Sequence, residues 1–403
     1  MSARSRLVSR KEAMSVVKSP NGKTRVGIVT LTQSENYGTV LQAYATHKVL
    51  SECAPDIDFE LVPTDVGAVR RRRLMSIANP RNPSFGVSRV RNFAAMRRYI
   101  KPLLPQIDSR WINIEDRESA TDFLEKRYDG YITGSDEVWN LAHIGIDSIY
   151  YLPNRLPGPK ASFATSANRL DISTLKPADR DVLKSSLEDY SYITVRDATT
   201  RTLVDELIAR PVVEIIDPTL QYRPLGSVDH ARKESKAVSR RPRILVMVKN
   251  RGIGSQIAER LGGRADIYSC FTRQDNTRFI RLTPQEFVDA FGDFDCVVTD
   301  FFHGTCMSIR SGARFVSFDT ESTYGRYESK IKNILGKMDC LDRYFDLTTI
   351  SPERLNAMLN RIEQLAFAPD PLGSEVIEAN LERERGHATA ITKEMVETLR
   401  SRL

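Results

Sequence analysis

A chain of 403 residues exceeds what one ordinary hydrophobic core supports, so its length predicts two domains. Hydrophobic residues make up 41% and charged residues 28%, the balance of a globular protein in water, and no run approaches the roughly 18 apolar residues of a membrane span. The net charge is +7, and the five cysteines are too scattered for a metal cluster or a disulfide framework.

Residues 1–24 are basic and lack a following apolar stretch, so they read as a disordered tail rather than a secretory signal. Next, Arg25 to Leu31 (RVGIVTL) is a β-branched run of strand length. TQSENYG then turns the chain into TVLQAYATHKVL, where Val40, Leu41, Tyr44 and Leu50 keep helical spacing. A helical insertion over 67–110 carries the basic block Val69 to Tyr99. Such a block attracts polyanions, whether anionic headgroups or a diphosphate-bearing substrate, or it forms a solvated helical face. Few aromatics interleave it and no nucleic-acid motif appears, which argues against nucleic acid.

Further strands follow at Tyr128 to Thr133, Ala161 to Ala164 and Tyr192 to Val195. They end in Gly134-Ser135-Asp136, in Thr165-Ser166-Ala167-Asn168 and in Arg196-Asp197. A helical pattern through Leu203 and Leu207 leads to VVEIID, residues 212–217. This completes an N-terminal α/β domain over 25–223. Residues 224–242 lose periodicity and read as a linker. A second α/β domain over 243–350 has strands at Arg243 to Val248, Ala265 to Ser269, Cys296 to Thr299 and Arg314 to Phe318, with a helix around Gly254 to Leu261. Beyond Ser351 the chain is helical, and Leu355, Leu359, Ile362 and Leu365 form a packing stripe. Strands alternating with helices predict parallel sheets with sites at the carboxyl ends of their strands. Four cysteines lie in or beside apolar stretches and read as thiols of a reducing compartment, so cytoplasm is the expectation.

The strand ends hold the candidate chemistry. In DFFHGTCMSIRSG, residues 300–312, a helix start follows a strand. A helix N-terminus attracts anions, Gly304 admits close backbone approach, Thr305 offers a hydroxyl, and His303 adds a proton carrier with an ordinary pKa near 6.5. A helix-start histidine bonded to a carbonyl is the plainer reading. GSDEVWN, residues 134–140, brings Ser135, a carboxylate base at Asp136, and Trp139, whose flat face suits a pyranose; an Asx-turn with Trp139 in the core is the alternative. Asn36, Tyr37 and Gly38 stand before a helix start as an anion or hydroxyl cradle, or as plain turn chemistry. Arg196 in TVRD could grip a carboxylate or phosphate, or form a surface ion pair. Lys249 and Arg251 are further phosphate candidates, or solvated loop charges.

Taken in order, NYGTVLQAYA, TGSDEVWN, SFATSAN, TVRD followed by IIDPTL, VVTDFFHGTCMSIRSGARFVSFD and YGRYESKIKNILGKMDCLDRYFD resemble the polysaccharide pyruvyl transferase family from Val26 to Asp346. The resemblance implies an α/β protein with two Rossmann-like domains facing across a cleft, similar to the B-type glycosyltransferase fold, with C-terminal helices. It implies transfer of the pyruvyl group of phosphoenolpyruvate to a sugar, usually as a ketal, without a cofactor or metal. His303 would then contact phosphate or relay the proton, and Asp136 would act as base toward the acceptor. Arg196, Gly304, Thr305 and Lys249 would bind the donor, with Asn36, Tyr37, Gly38, Ser135 and Trp139 completing the substrate contacts. The implied acceptor is a polysaccharide sugar or a lipid-linked oligosaccharide at the inner face of the membrane, against whose anionic surface the 69–99 segment would dock. Two departures stand out: Asp300-Phe301-Phe302 replaces a common arginine before the His-Gly pair, and Glu137 replaces a common glutamine. The rival readings are a nucleotide-sugar glycosyltransferase of the same architecture, with Glu321 or Glu328 as a ribose carboxylate, and a non-catalytic partner in polysaccharide assembly.

Overall fold

The structure is a computed structural model describing residues 22–403 except 33, 35, 66–74, 76–82, 105–111, 142–144, 169, 226–240 and 321–327; for 83–89 and 371–372 it describes the backbone alone. The expected basic tail and linker therefore lie almost wholly outside the described residues, as do Glu321 and much of the basic block.

The N-terminal half contains strands β1 (Arg25–Val29), β2 (Asp58–Leu61), β3 (Thr64–Asp65), β4 (Ile112–Asn113), β5 (Gly130–Asp136), β6 (Lys160–Thr165), β7 (Tyr192–Val195) and β8 (Val213–Glu214). Its helices are α1 (Tyr37–Cys53), α2 (Pro83–Ile100), α3 (Arg117–Arg127), α4 (Pro177–Glu188), α5 (Ala198–Leu207) and α6 (Pro218–Gln221). The C-terminal half contains β9 (Arg243–Met247), β10 (Asp266–Ser269), β11 (Arg278–Phe279), β12 (Cys296–Thr299), β13 (Phe315–Asp319) and β14 (Tyr344–Asp346). Its helices are α7 (Arg251–Leu261), α8 (Pro284–Ala290), α9 (Phe302–Ser311), α10 (Lys330–Lys337), α11 (Pro352–Phe367) and α12 (Pro371–Arg400).

Two parallel sheets result, as the alternating pattern predicts. Their orders are β2-β1-β5-β6-β7-β8 and β11-β10-β9-β12-β13-β14, with β3 and β4 forming a separate pair. Central strands such as β1 and β12 are buried along their whole length, because helices cover both faces and favour continuous apolar runs. Strand order reverses between β1 and β5 in the first sheet and between β9 and β12 in the second. In open α/β sheets these reversals open a crevice at the carboxyl ends of the strands, where ligands bind. Asp136 closes β5, and the segments after β1, β9 and β12 hold Asn36, Lys249 and His303, so the candidate residues gather at both crevices.

Five strands escape sequence reading: β2, β3, β4, β11 and β14. All are short: β2, β11 and β14 lie at sheet edges, β3 and β4 pair only with each other, and β2 alternates in burial instead of forming an apolar run. The VVEIID segment pairs only over Val213–Glu214, and its end becomes the N-cap of α6 through Asp217.

The halves share one apolar interface. Tyr37 at the start of α1 donates its hydroxyl to the Leu282 carbonyl and packs edge-on against Phe287. Arg310 on α9 donates to the carbonyls of Thr219, Tyr222 and Leu225. After α11 covers the second sheet, α12 returns to the first half. There Arg385 donates to the Leu220 carbonyl at 2.7 Å, and Gln221 to the Thr392 hydroxyl at 3.0 Å. One hydrophobic cluster runs from α1 through Phe287 and Phe291 to Met395 and Leu399. An apolar interface of this kind restrains the hinge motion that loosely joined domains allow.

Candidate functional site

A cavity of about 480 Å³ lies between the two crevices. Among the predicted residues, Asn36, Tyr37, Gly38, Asp136, Arg196, Lys249, His303 and Gly304 line it. Three others are placed elsewhere. Trp139 is 1% exposed; its indole N–H donates to the Tyr150 carbonyl at 3.2 Å and its ring stacks on Tyr151. It is a core residue, packed between Tyr151 and Tyr190, and it offers no face to a sugar. The Ser135 hydroxyl is spent on Thr46 at 2.9 Å within the core. Thr305 is fully buried: its N–H bonds the Phe301 carbonyl and its hydroxyl meets Ser317 at 2.8 Å, so it braces α9 against β13.

His303 is the second residue of α9, whose N-terminus no side chain caps. This leaves first-turn N–H groups for an anion. Gly304 seats that helix: a Cβ there would stand 2.1 Å from Met247 Cε and 2.4 Å from Thr299 Oγ1. Its missing side chain thus serves helix–strand packing as much as ligand approach. Gly38 does the same for the imidazole from the other half, since a Cβ on it would lie 2.0 Å from His303 Nδ1. The His303 Nε2 stands 3.9 Å from Asp217 Oδ2 and has no hydrogen-bond partner within the described protein. Burial pulls the His303 pKa below its ordinary value, and Arg196 and Lys330 push the same way against the attraction of Asp217 and Asp136. The ring is therefore neutral at neutral pH.

Asp217 organises the floor of the site. Its Oδ2 accepts from Gln42 at 2.8 Å and from Arg196 Nη1 at 2.9 Å, while Oδ1 accepts from the Thr219 N–H and hydroxyl. Burial works against its charge, but His303, Arg196 and Thr219 hold it below the usual carboxylate range. Burial also disfavours a charged Arg196, and Asp217 with Asp136 more than offsets that, so the guanidinium is held protonated. Arg196 stacks its guanidinium 4.9 Å from the centre of the Phe302 ring and keeps Nε free of protein partners among the described residues. It is thus a buried, fixed cation lining the cavity, not the surface ion pair of the plainer reading.

On the N-terminal side, Asp136 has φ 82°, a left-handed conformation uncommon outside glycine, and its Oδ1 accepts the Glu137 N–H at 2.9 Å. Glu137, the residue standing in place of a common glutamine, forms an ion pair across the cleft with Lys330 of α10. Burial would raise its pKa, but Lys330, Arg196 and Asn140 lower it to about 2, so the carboxylate is charged throughout the neutral range. Opposite, the Lys249 N–H donates to the Asp300 carboxylate at 3.1 Å, and Asp319, whose pKa burial raises, accepts from the Tyr344 hydroxyl at 2.9 Å.

Sequence reading therefore missed Asp217, Gln42, Lys330, Asp300, Asp319 and the aromatic wall of Phe271, Phe301 and Phe302. Asp217 was within reach, for it closes an apolar strand as Asp136 does. Lys330 gave no local signal, because its role arises only when α10 packs opposite β5. Of the carboxylates expected for a ribose, Glu328 is exposed and pairs with Lys332. Among the described residues, no group of three or more His, Cys, Asp or Glu side chains is placed to hold a metal, and no helix is long and apolar enough to cross a membrane.

Residues 36–322 match the family model described as polysaccharide pyruvyl transferase. No curated protein matches the chain. Similar solved structures include a UDP-GlcNAc 2-epimerase from Methanocaldococcus jannaschii, with TM-score 0.49 and 9% identity over 89% of this chain and 99% of that one. A sucrose-phosphate synthase from Thermosynechococcus elongatus gives TM-score 0.47 and 11% identity over 94% and 99%. A UDP-GlcNAc 2-epimerase from Neisseria meningitidis, bound to UDP-GlcNAc, gives 0.45 and 13% over 89% and 100%.

Proposed function

This chain belongs to the polysaccharide pyruvyl transferase family, and we propose that its cleft moves the pyruvyl group of phosphoenolpyruvate onto a sugar hydroxyl and closes a ketal with a second hydroxyl. One observation carries this reading: His303 and the uncapped start of α9 from one half, and Arg196 and Asp136 from the other, line a single cavity. Phosphoenolpyruvate is a small polyanion, and Arg196, Lys330 and the α9 N–H groups supply its counter-charge. Protonation of its methylene carbon leaves an oxocarbenium-like centre at C2. A sugar hydroxyl adds there, giving up its proton toward Asp136. The C2–O bond to phosphorus-bearing oxygen breaks and inorganic phosphate leaves, after which the second hydroxyl adds to C2 and loses its proton. His303, neutral and beside the anion, contacts the phosphate or relays the proton; this chemistry calls for no cofactor.

The reading is tested by thermal unfolding with phosphoenolpyruvate, against phosphate, pyruvate and nucleotide sugars. At 100 times its dissociation constant the donor adds about 2.7 kcal/mol of stability. Stabilisation by a nucleotide sugar and not by phosphoenolpyruvate would replace this reading with the glycosyltransferase.

The acceptor we propose is a glycan assembled on a lipid diphosphate at the inner face of the membrane. Arg91, Arg97 and Arg98 of α2 are exposed, and each basic residue near an anionic surface contributes roughly 1 kcal/mol. The chain should float with anionic vesicles at low salt and be released at high salt. Failure to float at low salt would remove the membrane from the proposal.

A further inference from the structure

We propose that Phe271, after β10, is the platform on which a pyranose ring of the acceptor stacks at the mouth of the cavity. This rests on the pyruvyl transfer reading only in taking the acceptor to be a sugar. Phe271 lines the cavity with 44% of its surface exposed. It also has φ 62°. A left-handed backbone at a bulky residue is a strained outlier, and such residues cluster at ligand sites. Asn or Gly would hold that backbone at little cost, yet the chain keeps an aromatic ring there and shows it to solvent. Of the seven non-glycine residues with positive φ among the described residues, Asp136, Asn168 and Phe271 all line this one cavity.

The ring is held rather than loose. Tyr37 meets it at 4.9 Å and 79°, Phe287 at 5.4 Å and 60°, and Phe301 at 6.0 Å and 43°. Two of these neighbours carry polar residues beside them in sequence that line the same cavity: Asn36 next to Tyr37, and Asp300 next to Phe301. A fixed aromatic face rimmed by a carboxamide and a carboxylate matches a pyranose, whose C–H face is apolar and whose edge carries hydroxyls. It does not match a phosphate, which the Arg196 guanidinium and the uncapped start of α9 serve better. With Trp139 in the core, the acceptor's flat contact then comes from the C-terminal half, and the sugar bridges the cleft toward Asp136.

Saturation-transfer difference NMR on the full chain tests this, with methyl β-glucopyranoside, β-galactopyranoside and α-mannopyranoside as probes. The wild type should saturate the ring C–H protons of at least one of them. Phe271→Ala and Phe271→Leu should bring that signal to background, while Phe271→Tyr keeps it. The leucine variant preserves apolar packing against Tyr37 and Phe287, so a folded Leu variant isolates the loss of the flat face. Full saturation in a folded Phe271→Leu, or no saturation of any probe by the wild type, overturns the proposal. Phosphoenolpyruvate stabilisation, measured on the same variants, should be unchanged. If it is absent even from the wild type while saturation still depends on Phe271, the donor assignment falls and the sugar platform stands.

Discussion

His303→Ala lowers kcat/KM by about 10²- to 10⁴-fold, the usual worth of a positioned acid–base group, while the circular dichroism of the fold stays intact. The imidazole sits at the first turn of α9 and not inside a sheet, so its removal leaves the packing of Gly304 against Met247 and Thr299 in place. Its pKa is lowered by burial, which fixes the sign of the pH dependence. The neutral ring is the working form, so kcat/KM stays level above about 6.5 and falls only in acid, with an apparent pKa below the ordinary histidine value. His303→Asn should erase that acid limb. The unfolded chain takes up the proton first, so acidification below about 6.5 also costs stability until the folded ring protonates. Gly38→Ala reaches the same ring from the opposite half, since its Cβ would stand 2.0 Å from Nδ1. It should displace the imidazole and lose turnover without touching any reacting group. A His303→Ala chain within tenfold of wild-type kcat/KM would remove His303 from the chemistry.

Much of this arrangement can be read in the residues because it follows local rules. Apolar runs ending in polar residues located the central strands, and the reversal of strand order brought the ends of β1, β5, β9 and β12 together. His303, Asp136 and Arg196 were found that way, Asp136 closing its strand and the other two standing one or a few residues beyond theirs. The failures have a common cause. Trp139 was read by its chemistry, but whether an indole meets solvent is decided by what packs on it, here Tyr150 and Tyr151 from the next turn of the chain and Tyr190 from beyond β6. Thr305 was read as offering its hydroxyl to the donor, yet α9 begins three residues earlier, so the hydroxyl points to β13. The Glu137–Lys330 pair joins residues 193 positions apart, and no periodicity encodes such a contact. The backbone at Phe271 is likewise a tertiary outcome, invisible in a residue type that ordinarily favours the core.

Asp217→Asn destabilises the chain by about 3–5 kcal/mol, because it leaves the Arg196 guanidinium charged, buried and without its carboxylate. Arg196 and Asp217 have side chains 3% and 0% exposed, so solvent cannot replace the lost partner. The midpoint of urea unfolding at pH 7 reads the loss. The same variant should raise KM for phosphoenolpyruvate, since Asp217 aims Arg196 at the cavity and faces His303 from below. Stability and function separate in the double variant Arg196→Met, Asp217→Leu. Replacing a buried ion pair by apolar side chains of similar volume is often close to neutral, so this chain should recover most of its stability and none of its turnover. The pH dependence follows from the lowered pKa of Asp217. Its contribution is complete above the unfolded carboxylate value of about 3.9 and fades as pH falls through the lower folded value. The gap between wild type and Asp217→Asn should therefore be constant from about pH 5 to about pH 8 and narrow only in strong acid. A gap that closes near pH 6 instead would mean that the stabilisation belongs to His303, whose proton would then be the one exchanged.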